Sequence, residues 1–235
     1  MQQLKIIFED NHIVVVEKPV NVPSQGDKTG DIDLLTMVKQ YIKEKYQKPG
    51  NVYVGLIHRL DRPVGGVMVL AKTSKAAGRL SNQVRERQFQ KTYLTIVNGK
   101  MEQQQGTLED YLLKDERNNK SKTVREGTKN SKLAVLDYEV LKYDEQLNLS
   151  VLKIHLHTGR HHQIRVQLSC RNHSIYGDQK YGGRGHGKQL TLWAYELKMM
   201  HPISNEEITF YSLPEEIGSW KILEDTQGLK NEMST

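Results

Sequence analysis

Residues 149–157, LSVLKIHLH, place Leu152, Ile154 and Leu156 on one side of an extended chain and Lys153, His155 and His157 on the other. That period of two excludes a helix, and it buries only one face. Upstream, residues 133–141 form a second β-rich run, joined to the first by the polar turn DEQLN. The pair reads as an antiparallel hairpin. Further short runs follow the same pattern: two pieces within residues 6–16, VYVGLIH and GVMVLAKT around residue 60, KTYLTIV from Lys91, and a last pair, residues 190–199 and 207–211. Strands this numerous, joined by loops this short, point to an α+β fold on a large, mainly antiparallel sheet.

Two helices interrupt the strands. Leu34, Leu35, Val38, Tyr41 and Ile42 recur at helical spacing within residues 31–46, with Asp31 or Asp33 as cap and Pro49-Gly50 beyond the end. Residues 74–87 repeat the pattern with Ala77, Leu80 and Val84 in one stripe and Thr73 or Ser74 as cap. No repeat or low-complexity linker divides the chain. We therefore expect one domain over residues 1–223 and a polar tail over 224–235.

No apolar run approaches the roughly 18 residues that span a bilayer, and the N-terminus lacks the cleavage signal of a secreted protein. Cys170 is the only cysteine, which excludes an internal disulfide and a cysteine-rich zinc site. These features fit a reducing, cytoplasmic location without membrane attachment. The net charge of +6 is unevenly spread: residues 114–132 carry seven cations against three anions. Such an excess favours an anionic partner, nucleic acid above all.

HRLDRPVGG, residues 58–66, sets one acid, Asp61, among cations on a connection between two strands. The arrangement is either a surface ion pair of little worth or a carboxylate kept ionised for chemistry. A second cluster, HLHTGRHHQIR at 155–165, holds four histidines. His155 and His157 share a strand face, yet no nearby acid completes a ligand set, and Arg160 and Arg165 would oppose a bound cation. We expect no metal. After Gly159, Ile164 and Leu168 lie one turn apart, so a helix begins there, and its first amides with the two arginines could receive a phosphate or the carboxylate of Asp61.

Taken in order, EDNHIVVVEKP, HRLD, KTY, TGRHHQIR, IYGDQKYGG and LWAYELKMMHP make the chain resemble the RluA-type family of RNA pseudouridine synthases. The resemblance implies a bent, mainly antiparallel mixed sheet with flanking helices and a central RNA-binding cleft. It also implies the isomerisation of uridine in structured RNA, ribosomal or transfer, to pseudouridine, without a cofactor or an obligate protein partner. Asp61 matches the catalytic aspartate, Tyr93 the tyrosine that stacks on the base, and Arg165 the basic partner of the aspartate. Arg59 matches an arginine that fills the gap left by a flipped nucleotide. Arg62, Lys18, Arg160 and His162 are the further residues expected to contact RNA, while His58 is expected to shape the loop. No S4-type RNA-binding module is expected ahead of the catalytic domain.

Two departures stand out. Val64 and Gly65 replace the threonine and serine usual after HRLD, and Asn21 replaces a glycine in KPVN, a change that a left-handed backbone position tolerates. The implied chemistry detaches uracil N1 from ribose C1′ and rejoins the base through C5. An ionised carboxylate serves this either by attacking the sugar or by taking its C2′ proton. A guanidinium beside a carboxylate favours the charged form, and Tyr93 would hold the base and help remove the C5 proton. The alternatives are an RNA-binding relative without catalysis and a metal-dependent hydrolase built on the histidine cluster.

Overall fold

A computed structural model describes residues 4–182, 188–224 and 229. The chain divides into two compact units, Met1–Gln90 with Ala194–Leu213, and Lys91–Trp193 with Pro214–Thr235.

The first unit is built on β1 (Lys5–Glu9), β2 (Ile13–Lys18), β3 (Gly55–Leu56), β4 (Gly65–Ala71), β10 (Leu192–Met200) and β11 (Glu207–Tyr211). Strand order runs β1-β2-β4-β10, with β3 on β4 and β11 on β10. β2 pairs antiparallel with β4 from Ile13↔Ala71 to Lys18↔Gly66. Both strands are apolar on both faces and form the core: Ile13 to Val16 and Met68 to Ala71 are inaccessible to solvent. The run VYVGLIH yields only the short β3. Both edges of β4 are already claimed by β2 and β10, so β3 pairs only at Gly55↔Ala71 and Leu56↔Leu70.

Helix α1 (Leu34–Lys45) starts where Asp33 accepts a hydrogen bond from the Thr36 N–H at 3.0 Å, and it buries Leu34, Val38 and Ile42. Helix α2 (Ser74–Arg85) is capped by Thr73. Its buried stripe is Ala76, Leu80 and Gln83, not the expected Ala77, Leu80 and Val84. The polar Gln83 takes the core position because its amide pairs with the Met200 backbone, donating to the carbonyl at 2.9 Å and accepting from the N–H at 3.1 Å.

In the second unit the strand order is β5-β9-β8-β6-β7. These are β5 (Gln90–Asn98), β6 (Gln105–Asp115), β7 (Lys120–Val124), β8 (Lys132–Asp144) and β9 (Leu149–Leu156). β8 and β9 form the hairpin legible from their alternation, and β9 also pairs with β5. Helix α3 (Gln163–Ser169) is seven residues long, and a 3-10 turn covers Gly218–Leu223. Residues 114–132, singled out above for their positive charge, are not one continuous loop. Part of the segment is the β6–β7 hairpin, in register from Tyr111↔Val124 to Asp115↔Lys120. Each of its strands buries few side chains, Leu108 and Leu112 on β6 and Ser121 on β7, and the intervening charges mask them.

The antiparallel α+β expectation thus holds in both units. Of the tail at 224–235, only Glu224 and Leu229 fall within the described residues. Among the described residues no helix is long and apolar enough to cross a membrane.

Candidate active site

Asp61 sits between β3 and β4 on a loop that its neighbours hold rigid. Leu60 and Val64 are buried on either side of it, and the Val64 N–H closes a turn onto the Asp61 carbonyl at 3.0 Å. One hydroxyl secures the near side, since Ser24 Oγ donates to the Leu60 carbonyl and accepts from the Leu60 N–H. On the far side Lys18 Nζ donates to the carbonyls of Pro19 (2.9 Å), Val22 (2.6 Å) and Arg62 (3.1 Å). These bonds tie residues 19–24 to residues 60–62. His58 accepts the Val69 N–H on Nε2 at 3.2 Å and meets the Phe89 ring edge-on, so it packs and shapes the loop as expected.

Where the loop enters β4, Gly66 has φ +119°, and a Cβ there would lie 2.2 Å from the Ala194 carbonyl oxygen. Only glycine fits. Asn21 has φ 64°, the left-handed conformation anticipated for it.

Lys18 and Arg62 were both expected to contact RNA. The structure places Lys18 fully inside, its ammonium directed at three carbonyls rather than at solvent. A lysine that closes a β-run reads as exposed; here the chain returns over it 44 residues later. Burial pulls its pKa down to about 7, opposed by the nearby Asp61 charge and reinforced by Arg62. Arg62 is half exposed and already engaged. Its Nε donates to the Asn21 carbonyl at 3.1 Å, and its guanidinium binds Thr29 Oγ1 at 3.0 Å, Asp31, and Asp27 at 3.5 Å. Arg59 is exposed. The first unit therefore gathers Asp61, Lys18 and Arg62.

In the second unit, Tyr93 is 8% exposed on β5, opposite Ile154 of β9. Arg165, on the first turn of α3, is 5% exposed and forms a two-pronged pair with Asp178: Nε to Oδ2 at 2.7 Å and Nη2 to Oδ1 at 2.8 Å. The same carboxylate accepts the N–H groups of Lys180 and Tyr181, which folds the chain back so that the Tyr181 ring lies 5.2 Å from the Arg165 guanidinium carbon. Asp178 and Tyr181 lie in the IYGDQKYGG fragment, but nothing local marks them as partners of Arg165.

Residues 158–163 lead into α3 through a lattice of bonds. Gln163 Oε1 accepts from Thr158 Oγ1 and the Arg160 N–H, while Gln163 Nε2 donates to the Val135 carbonyl. Arg160 Nε donates to the Leu133 carbonyl at 2.8 Å. His162, at φ 54°, begins the helix without a side-chain cap, and its Nδ1 lies 2.8 Å from the Tyr181 hydroxyl. Arg160, His162 and Arg165 are thus collected around the start of α3. His155 meets Thr92 at 3.3 Å and His157 meets Asp137 at 2.6 Å. Among the described residues no three His, Cys, Asp or Glu side chains are grouped to hold a metal ion.

Residues 12–170 match the family model described as RNA pseudouridylate synthase. A protein of Aquifex aeolicus named as an uncharacterized RNA pseudouridine synthase is 34% identical over 220 residues, covering 88% of this chain and 68% of the relative. Ribosomal large subunit pseudouridine synthase D of Neisseria meningitidis serogroup A is 34% identical over 232 residues, covering 91% of this chain and 59% of the relative. Among solved structures, human RNA pseudouridylate synthase domain containing 4 superposes with a TM-score of 0.75 at 25% identity, over 90% of this chain and 89% of its own. The family match runs through the segments that bear Asp61, Tyr93 and Arg165, and with these relatives it establishes that the chain belongs to the RNA pseudouridylate synthase family and is an isomerase.

Proposed function

We propose that residues 1–223 act as one catalytic domain that converts uridine in structured ribosomal or transfer RNA to pseudouridine, with Asp61 as the catalytic carboxylate. The observation that carries this reading is the anchoring of the Asp61 loop. Ser24, Lys18 and Gly66 hold its backbone on both sides, as a reacting group must be held to keep an attack geometry. Asp61 attacks C1′ or removes the C2′ proton. Tyr93 stacks on the uracil and assists loss of the C5 proton, and Arg165 is the guanidinium that favours the ionised aspartate. Extruding the uridine costs roughly a few kcal/mol in a stacked context and less in a loop, and the exposed Arg59 is placed in this reading to fill the vacated stack. Arg160 and His162 contribute contacts to the RNA.

The reading needs no cofactor, metal or obligate protein partner and places the protein in the cytoplasm with its substrate. Purified protein incubated with RNA labelled with tritium at uridine C5 tests it. Wild type releases tritium as the base is rejoined through C5, and Asp61→Asn, nearly isosteric, releases none. Binding of RNA without release would mark a relative that has lost catalysis. Release by Asp61→Asn at the wild-type rate would remove Asp61 from its role.

A further inference from the structure

Tyr181 meets three elements of the second unit at once. Its ring face carries the Arg165 guanidinium at 5.2 Å, while the edge of that guanidinium is held by Asp178. Its hydroxyl accepts the Ser121 N–H of β7 at 2.7 Å and lies 2.8 Å from His162 Nδ1. The hydroxyl thus links β7 to the residue that begins α3. The backbone of Tyr181 is fixed as well, its N–H on Asp178 at 3.2 Å and its carbonyl accepting from Ser169 Oγ at 2.7 Å. Ser121 Oγ in turn donates to the His161 carbonyl at 2.7 Å, so the β7 strand is fastened to the segment that starts α3.

We propose that Tyr181 is a positioning residue for Arg165, its ring setting the plane of the guanidinium and its hydroxyl locking that plane to the β6–β7 hairpin and to His162. The inference rests on the role given above to Arg165, and it adds a partner that role does not include. Asp178 fixes the guanidinium within its own plane, and a ring over one face opposes tilting out of that plane, with cation–π attraction at a desolvated site as the restoring force. The hydroxyl couples the hairpin to the same point. RNA drawn to the exposed Lys120 and Lys122 of β7 therefore bears on the orientation of Arg165.

Tyr181 also packs against the buried cluster of Leu112, Ala134 and Val166, so a purely structural role is the rival account. Single-turnover kinetics on C5-tritiated RNA, with enzyme in saturating excess, separate the two. Loss of folded enzyme lowers the amplitude or demands more protein, whereas misplacement of Arg165 lowers the saturating rate constant. Tyr181→Leu, which fills the cluster but offers no ring, is expected to lower that rate constant about tenfold or more. Tyr181→Phe is expected to restore it to within about threefold while raising the half-saturating enzyme concentration several-fold, because the ring remains and the tie to β7 is cut. If Tyr181→Leu proves insoluble, Tyr181→Met carries the same test. A Leu or Met variant that reacts at the wild-type rate constant overturns the proposal while leaving the assigned reaction intact. If wild type itself releases no tritium, the assigned reaction fails and the proposal falls with it.

Discussion

Ser24 Oγ donates to the Leu60 carbonyl at 2.8 Å and accepts from the Leu60 N–H at 3.1 Å, so a single buried hydroxyl satisfies both backbone groups of the residue before Asp61. Ser24→Ala leaves both without that partner. Unmade buried hydrogen bonds cost about 1–3 kcal/mol, and the urea midpoint is expected to fall accordingly. The saturating rate constant is expected to fall too, since the carboxylate loses one of its anchors. An unchanged midpoint would show that Leu60 is held by other means.

Gly66 and Gly78 make a matched pair of substitutions with opposite signs. An alanine at 66 would place its Cβ 2.2 Å from the Ala194 carbonyl oxygen at φ +119°, whereas at 78, within α2, nothing lies within 4 Å. Gly66→Ala is expected to cost more than about 2 kcal/mol or to prevent folding. Gly78→Ala is expected to gain about 0.5–1 kcal/mol from helix propensity. Thermal melting of the two variants decides it, and a tolerated Gly66→Ala would contradict the close approach of these backbones.

Glu9 supplies a pH dependence of known sign. Burial alone would raise its pKa, but hydrogen bonds from Lys45, Lys72, Tyr41 and Tyr46 outweigh it and hold the value at about 2 against an ordinary 4.5. With the folded value depressed, the unfolded chain binds the proton first. The stabilisation is complete above about pH 4.5 and drains away as pH falls toward 2. Urea midpoints across this window should decline more steeply for wild type than for Glu9→Gln. Parallel curves would mean that the cluster does not set this acid limb.

The Arg62 guanidinium is engaged by Asp31, Asp27 and Thr29, and the Arg62 and Thr29 hydrogen bonds keep the Asp31 carboxyl below its usual pKa. Replacing both acids by asparagine should release the guanidinium for a phosphate. RNA affinity is then expected to rise, with the salt dependence steepened by about one counterion, while the melting temperature stays within error because the acids are exposed. Equal or weaker binding by the double variant would assign Arg62 to the loop alone.

What the sequence disclosed follows the range of the forces involved. The alternation of Leu152, Ile154 and Leu156 and the cap at Asp33 are local, and both survive in the folded chain. So does the left-handed Asn21. The burial of Lys18 depends on the return of Arg62 across 44 residues, and the partnership of Arg165 with Asp178 and Tyr181 depends on a turn made after α3 has ended. Neither leaves a periodic trace. The β6–β7 hairpin was hidden for another reason: hairpin registration places Lys114, Lys120 and Lys122 beside only a few buried side chains, and composition there is dominated by charge.

The position of β7 at the end of its strand order has a colloidal consequence. An outer strand invites a second molecule to continue the ladder; in β7 the Tyr181 hydroxyl already takes the Ser121 N–H, and the buried Ser121 is flanked by the exposed ammonium groups of Lys120 and Lys122. A copy approaching in register would have to bring like charges together and strip their water. The lysines to which RNA is proposed to be drawn thus also discourage the protein from stacking upon itself into fibrils when it is concentrated.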